Sequence, residues 1–181
     1  MLEKDIEQIL FTKEEIENRC AELGKQISED YKDKKPLIIG VLRGCVPFME
    51  RILENLDIYC TVDFIKVSSY EGTNSTGTLI IKQDITTSLV DKEIILVEDI
   101  VDTGLTIKKL IPLLYDRGAK DVKVCTLLHK TAREKYHNDL DYIGFFCEDH
   151  FVVGFGLDYN EYYRNLPYIG VLKKEDIKIF A

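Results

Sequence analysis

Basic residues are in short supply in this chain. Lys and Arg number 24 against 32 Asp and Glu, a net charge of −8. That balance argues against bulk binding to nucleic acid or to an anionic membrane surface. Long apolar runs are missing too: no uninterrupted hydrophobic stretch approaches membrane-spanning length, and the opening MLEKDIEQIL is not a signal peptide. There is no internal repeat, low-complexity tract or linker. The five cysteines (Cys20, Cys45, Cys60, Cys125 and Cys147) are odd in number and lack metal-site spacing, so they read as reduced, mostly buried residues of a cytoplasmic protein. What is present is a globular composition, 45% hydrophobic and 31% charged, in 181 residues. One domain of that length can bury its own core.

The informative stretch is residues 94–106, IILVEDIVDTGLT. Ile94, Ile95, Leu96 and Val97 form an apolar run without polar interruption, as expected of a strand covered on both faces in a parallel sheet. Glu98 and Asp99 make an acidic tip, and Asp102, Thr103, Gly104, Leu105 and Thr106 make a turn. Ile107, Leu110, Ile111 and Leu114 then fall at helical spacing. In open α/β sheets, ligands bind beyond the carboxyl ends of strands, where the following helix points its N-terminus at them. First-turn amides with the Thr103 and Thr106 hydroxyls suit a phosphate, and Gly104 permits close backbone approach. Three carboxylates beside such a cradle would repel a phosphate unless they serve sugar hydroxyls or Mg²⁺.

The remaining elements repeat this architecture. Thr12 and Glu15 form a capping-box pattern before a helix with Ile16, Cys20, Leu23 and Ile27 on its apolar face. Residues 36–42 read as a second apolar strand, followed by Arg43-Gly44-Cys45 and a helix opened by Pro47, with Phe48, Ile52 and Leu56 inward. Residues 58–67 alternate with Ile58, Cys60, Val62 and Phe64 on one face, and 79–81 form another strand. The polar loop 68–78 between them is long for a hairpin. Pro112 removes a hydrogen bond from the helix after the central motif, which Gly118 ends. Residues 122–128 form a strand that delivers Lys130 to the same crevice, and the C-terminal third is rich in aromatics.

VEDIVDTGLT resembles the phosphoribosyl-diphosphate (PRPP) signature of the type I phosphoribosyltransferases. LRG at 42–44 resembles the pyrophosphate loop of the purine enzymes, where Lys often replaces Arg43, and implies a cis Leu42–Arg43 peptide. SSYEGTNSTG is similar to the mobile loop that closes over the site, with Ser69 and Tyr70 as matching residues. LLHK and FVVGFGLDYNEYYR resemble segments of the hypoxanthine-guanine group. The match covers nearly the whole chain. It implies an α/β fold, with a central mostly parallel sheet flanked by helices and a small hood. A single domain would span residues 1–181, with its core at about 30–140 and its hood formed by about 141–181 with N-terminal residues.

The resemblance also implies roles. Asp102, Thr103, Gly104, Leu105 and Thr106 take the 5′-phosphate of PRPP. Glu98 and Asp99 hold ribose hydroxyls and, with Asp158, the Mg²⁺. Arg43, Gly44 and Arg164 face pyrophosphate. Lys130 contacts the purine 6-oxygen, Phe151 stacks on the ring, Val152 reads its edge through the backbone, and Asp158 lies at the same base site. Asp102 accepts or steers the proton near purine N7, as a general base or as a hydrogen-bond acceptor. At His150 relatives often place Lys. The expected enzyme is a cytoplasmic purine-salvage transferase using PRPP with hypoxanthine or guanine, a homodimer or homotetramer, binding neither nucleic acid nor membrane. A PRPP-sensing regulator on this fold would need a basic face and no base-specific hood. An enzyme for pyrimidines is disfavoured by Lys130 with Phe151-Val152, and xanthine less firmly.

Overall fold

A computed structural model describes residues 2–69, 79–133, 135–136 and 139–173. The elements in chain order are β1 (Ile6–Phe11), α1 (Lys13–Asp30), β2 (Leu37–Leu42), α2 (Val46–Glu54), β3 (Thr61–Ser69), β4 (Leu79–Gln83), β5 (Glu93–Val101), α3 (Leu105–Asp116), β6 (Asp121–His129), β7 (Tyr142–Phe146), β8 (Val152–Val153) and β9 (Ile169–Leu172). A six-stranded sheet runs β4-β3-β2-β5-β6-β7, parallel throughout except for antiparallel β4 at one edge. A separate three-stranded antiparallel sheet, β1-β9-β8, joins the N-terminal strand to the C-terminal segment.

Strand β5 shows why its apolar run is unbroken. Ile95 and Val97 pack toward the core under α1 and α2, whereas Ile94 and Leu96 pack toward the core under α3. With a period of two, a strand covered on both faces must be apolar at every position. All four side chains have no exposed surface, which is worth roughly 1.5–3 kcal/mol each. Helix α1 is held at its start by the expected capping box, with the Thr12 and Glu15 side chains and backbone N–H groups bonded reciprocally. Its buried residues include the expected Ile16, Cys20, Leu23 and Ile27.

Several boundaries differ from the sequence reading. Strand β5 continues past the acidic pair to Val101, because Glu98, Ile100 and Val101 keep register with Thr126, Leu128 and His129 of β6. Helix α2 ends at Glu54, so Leu56 packs against the core from beyond the helix. Strand β3 begins at Thr61, leaving Ile58 and Cys60 ahead of the ladder but against the same core. Helix α3 continues through Pro112 to Asp116, and Gly118 follows in the left-handed conformation at φ 94°. Among the described residues, no helix is long and apolar enough to cross a membrane.

Candidate active site

The strand-to-helix turn after β5 is the centre of the site. Gly104 caps α3 at φ 80°, a left-handed conformation that glycine adopts without a Cβ penalty, and it brings no side-chain oxygen to the first-turn amides. A hollow of about 90 Å³ is lined by Glu98 and residues 100–107. Two polar atoms here are buried without a hydrogen-bond partner, Glu98 Oε2 and Asp102 Oδ1. Burial pushes the Glu98 carboxyl well above its ordinary pKa, and the adjacent Asp99 adds to the effect. Burial also raises Asp99, against the opposing pull of Glu98, the Ile100 N–H at 2.9 Å and the positive charge of Arg164. Two carboxyls side by side in low dielectric favour the binding of a cation or of hydroxyl donors.

Three distant segments close on Asp99. A Cβ built on Gly44, in the β2–α2 turn, would sit 1.5 Å from Asp99 Oδ2. A Cβ on Gly156, at φ 97°, would sit 2.0 Å from the Gly44 carbonyl oxygen. Glycine at both positions leaves room for the Asp99 carboxylate against the 43–45 turn and for the backbone of that turn against the C-terminal segment. The Leu42–Arg43 peptide at this junction is cis, as expected. Arg164 Nη1 lies 2.8 Å from Asp158 Oδ1 and donates to the Gly156 carbonyl at 2.8 Å. Glu161 Oε2 accepts from Arg43 Nη1 at 2.7 Å and from Arg164 Nη2 at 3.1 Å.

On the other side of the turn, β6 delivers Lys130, which is only 5% exposed. Its Nζ donates to the His150 carbonyl at 2.6 Å, and its own N–H bonds the Val101 carbonyl at the end of β5. Phe151 stands 44% exposed next in the chain, edge-on to Tyr159 with centroids 5.4 Å apart. Val152 is buried in β8, paired with Val171. A cavity of about 450 Å³ opens beside Phe151, lined also by Arg133, Asp149 and His150, with residues of β1 and β9 closing it.

The matching family is the phosphoribosyl transferase domain, over residues 8–160. A hypoxanthine-guanine phosphoribosyltransferase of Bacillus subtilis is 47% identical over 96% of this chain and 97% of its own length. The chain belongs to the hypoxanthine-guanine phosphoribosyltransferase family. Its fold is correspondingly close to that of a hypoxanthine phosphoribosyltransferase from Staphylococcus aureus, with TM-score 0.93 and 42% identity over 97% of this chain and 96% of the other. A hypoxanthine-guanine-xanthine phosphoribosyltransferase structure is also similar, with TM-score 0.87 and 37% identity over 94% and 99% of the two chains. As a member of this family the chain is an enzyme, a PRPP-using pentosyltransferase.

Against that family's motifs, the structure brings together Glu98, Asp99, Asp102, Gly44 and Arg164 around one junction, with Lys130 and Phe151 on its other flank. Asp158 does not join Glu98 and Asp99 as a metal cluster; among the described residues no three His, Cys, Asp or Glu could hold an ion. Its carboxylate is taken by Arg164 and by the Glu161 N–H at 2.8 Å. The remaining acid pair, with Glu98 Oε2 unpartnered, still fits Mg²⁺, which commonly takes one or two carboxylates plus substrate oxygens. Ser69 ends β3, and Tyr70 lies outside the described residues. Two residues escaped the sequence reading. Arg133 bridges Asp102 at 3.4 Å and Asp149 at 3.5 Å, and Glu161 joins the two arginines. The signal for Arg133 was its place three residues after Lys130; Glu161 lay inside the family stretch but is acidic where an anion is expected.

Proposed function

We propose that this enzyme transfers the 5-phosphoribosyl group of PRPP to hypoxanthine, and to guanine, giving the nucleoside 5′-monophosphate and releasing pyrophosphate in purine salvage. Positive charge develops on the ribose as pyrophosphate leaves. The hollow at residues 100–107 receives the 5′-phosphate through the amides of Thr103, Gly104, Leu105 and Thr106, where the helix dipole favours an anion. Glu98 and Asp99 hold the ribose hydroxyls and would, with the substrate's own oxygens, hold Mg²⁺, which when bound would supply neutralisation of charge on the leaving group. Asp158, its carboxylate held by Arg164 and the Glu161 N–H, would help hold that ion through water. Arg43, Gly44 and Arg164 face the pyrophosphate and stabilise it as it departs. Asp102, with one buried oxygen unpartnered, accepts or steers the proton near purine N7. Phe151 stacks on the purine, the backbone of Val152 reads its edge, and Ser69 and Tyr70 belong to a covering loop. The chain is a single domain, its hood formed by β1 with the C-terminal segment. It works in the cytoplasm as a homodimer or homotetramer.

One observation carries the choice of base. Lys130 is buried, and among the described residues one carbonyl, that of His150, takes one of its three N–H donors. Its remaining donors match an acceptor at purine position 6 and not an amino group, and the similar proteins carry hypoxanthine and guanine in their names. The test is nucleotide formation from PRPP and Mg²⁺ with hypoxanthine, guanine, xanthine and adenine in parallel. Hypoxanthine and guanine are turned over and adenine is rejected. No nucleotide from either hypoxanthine or guanine would overturn the reading.

A further inference from the structure

Arg43 and Arg164 come from segments far apart in sequence, yet one carboxylate oxygen, Glu161 Oε2, accepts from both, at 2.7 and 3.1 Å. We propose that Glu161 is an internal stand-in for pyrophosphate: it occupies the two guanidinium groups while no diphosphate is bound and must swing away before one can bind. This rests on the reading that these arginines receive pyrophosphate.

The bonding separates fixed parts from the exchangeable one. Arg164 is anchored by its Nη1, to the Gly156 carbonyl and to Asp158, and offers its Nη2 edge to Glu161. The backbone of Glu161 is pinned independently, at φ 70°, by its N–H bond to Asp158 Oδ2 at 2.8 Å. Its side chain is 64% exposed and that of Arg43 55%, so the carboxylate can rotate into water without disturbing the turn. Two guanidinium groups held together without an anion would repel each other, and Glu161 relieves that repulsion in the resting enzyme. When pyrophosphate arrives, the same carboxylate becomes a like charge beside it. Glu161 therefore weakens pyrophosphate binding and, by returning to the arginines, assists its release.

Glu161→Gln keeps the shape, the backbone bond and the positive φ, and removes the charge. The prediction is opposite in sign to that for lost structure: magnesium pyrophosphate binds the variant tighter, by roughly 2- to 30-fold, the worth of two exposed ion pairs. The measurement is calorimetric titration of the whole enzyme and the variant with magnesium pyrophosphate, beside product inhibition against PRPP. The nucleoside 5′-monophosphate of hypoxanthine, whose phosphate is assigned to the 103–106 cradle, binds both proteins alike and reports an intact site. Equal or weaker pyrophosphate binding by the variant overturns the proposal. If the unaltered enzyme binds no pyrophosphate and forms no nucleotide, the functional reading itself fails and this inference falls with it.

Discussion

Replacing Gly44 by alanine tests whether the stacking of three segments on Asp99 holds the site in shape. The added methyl would lie 1.5 Å from Asp99 Oδ2 and 2.5 Å from its Cγ, so rotating the carboxylate tip alone does not clear it. Asp99 has little room to yield: its Oδ1 accepts the Ile100 N–H at 2.9 Å, and its neighbour Glu98 is buried. Nor can the 43–45 turn retreat freely, since the Gly44 carbonyl already abuts Gly156. Overpacking of this kind costs about 1–3 kcal/mol, which for a chain of this size lowers Tm by ~2–12 °C. The larger effect falls on PRPP, because the displaced carboxylate is one assigned to the ribose. Thermal melts with steady-state kinetics in PRPP measure both. A variant that melts with the parent and keeps its kcat/KM for PRPP would show that Asp99 does not need the position described.

Asp102→Asn keeps the size of the side chain and removes its basicity. It should lower kcat by ~10²–10⁴-fold with little change in PRPP affinity, and turnover within a factor of a few of the parent, measured at saturating substrates, would remove proton transfer from Asp102. Asp63 predicts a pH effect. Burial alone would raise its carboxyl, but N–H donation from Phe64, Thr86 and Thr87, with the threonine hydroxyls, brings it from 3.8 down to about 2. A depressed carboxylate stabilises the fold above its unfolded pKa and loses that contribution as pH falls through the folded value. Asp63→Asn should therefore be less stable by about 1–2 kcal/mol near neutrality, and the gap, followed by urea melts, should close toward pH 2. A gap that persists unchanged to that pH would contradict the assignment.

How much was legible depended on how local the cause was. The apolar run of β5 and the Thr12–Glu15 capping box are consequences of neighbouring residues, and both stand in the structure as the sequence implied. Strand β8 has two residues and pairs with β9 only after the chain has returned from the 154–168 turns. No short-range pattern encodes that pairing. Strand β1 exposes polar and apolar residues without clean alternation, because it is a sheet edge defined by its contact with β9. In the site, residue types and spacing pointed to the cradle, and family resemblance supplied Lys130 and Phe151. The Glu161 bridge was illegible because it depends on left-handed backbone at Asn160, Glu161 and Tyr163, none of them glycine. Arg133 likewise acquires its partners only when β5, β6 and the 149–151 segment meet.

The central claim is that buried Lys130 selects a 6-oxopurine for phosphoribosyl transfer. An ammonium donates and cannot accept, so the 6-amino group of adenine would leave the donors not taken by the His150 carbonyl unmatched. A mismatch of that kind is commonly worth ~10⁴-fold or more in specificity. The measurement is kcat/KM for hypoxanthine, guanine and adenine, with PRPP and Mg²⁺, in the parent enzyme and in Lys130→Ala. The parent should use the two 6-oxopurines and reject adenine, while the variant loses efficiency with hypoxanthine and much of its preference over adenine. Adenine used as well as hypoxanthine by the parent, or a preference unchanged in the variant, would contradict the claim.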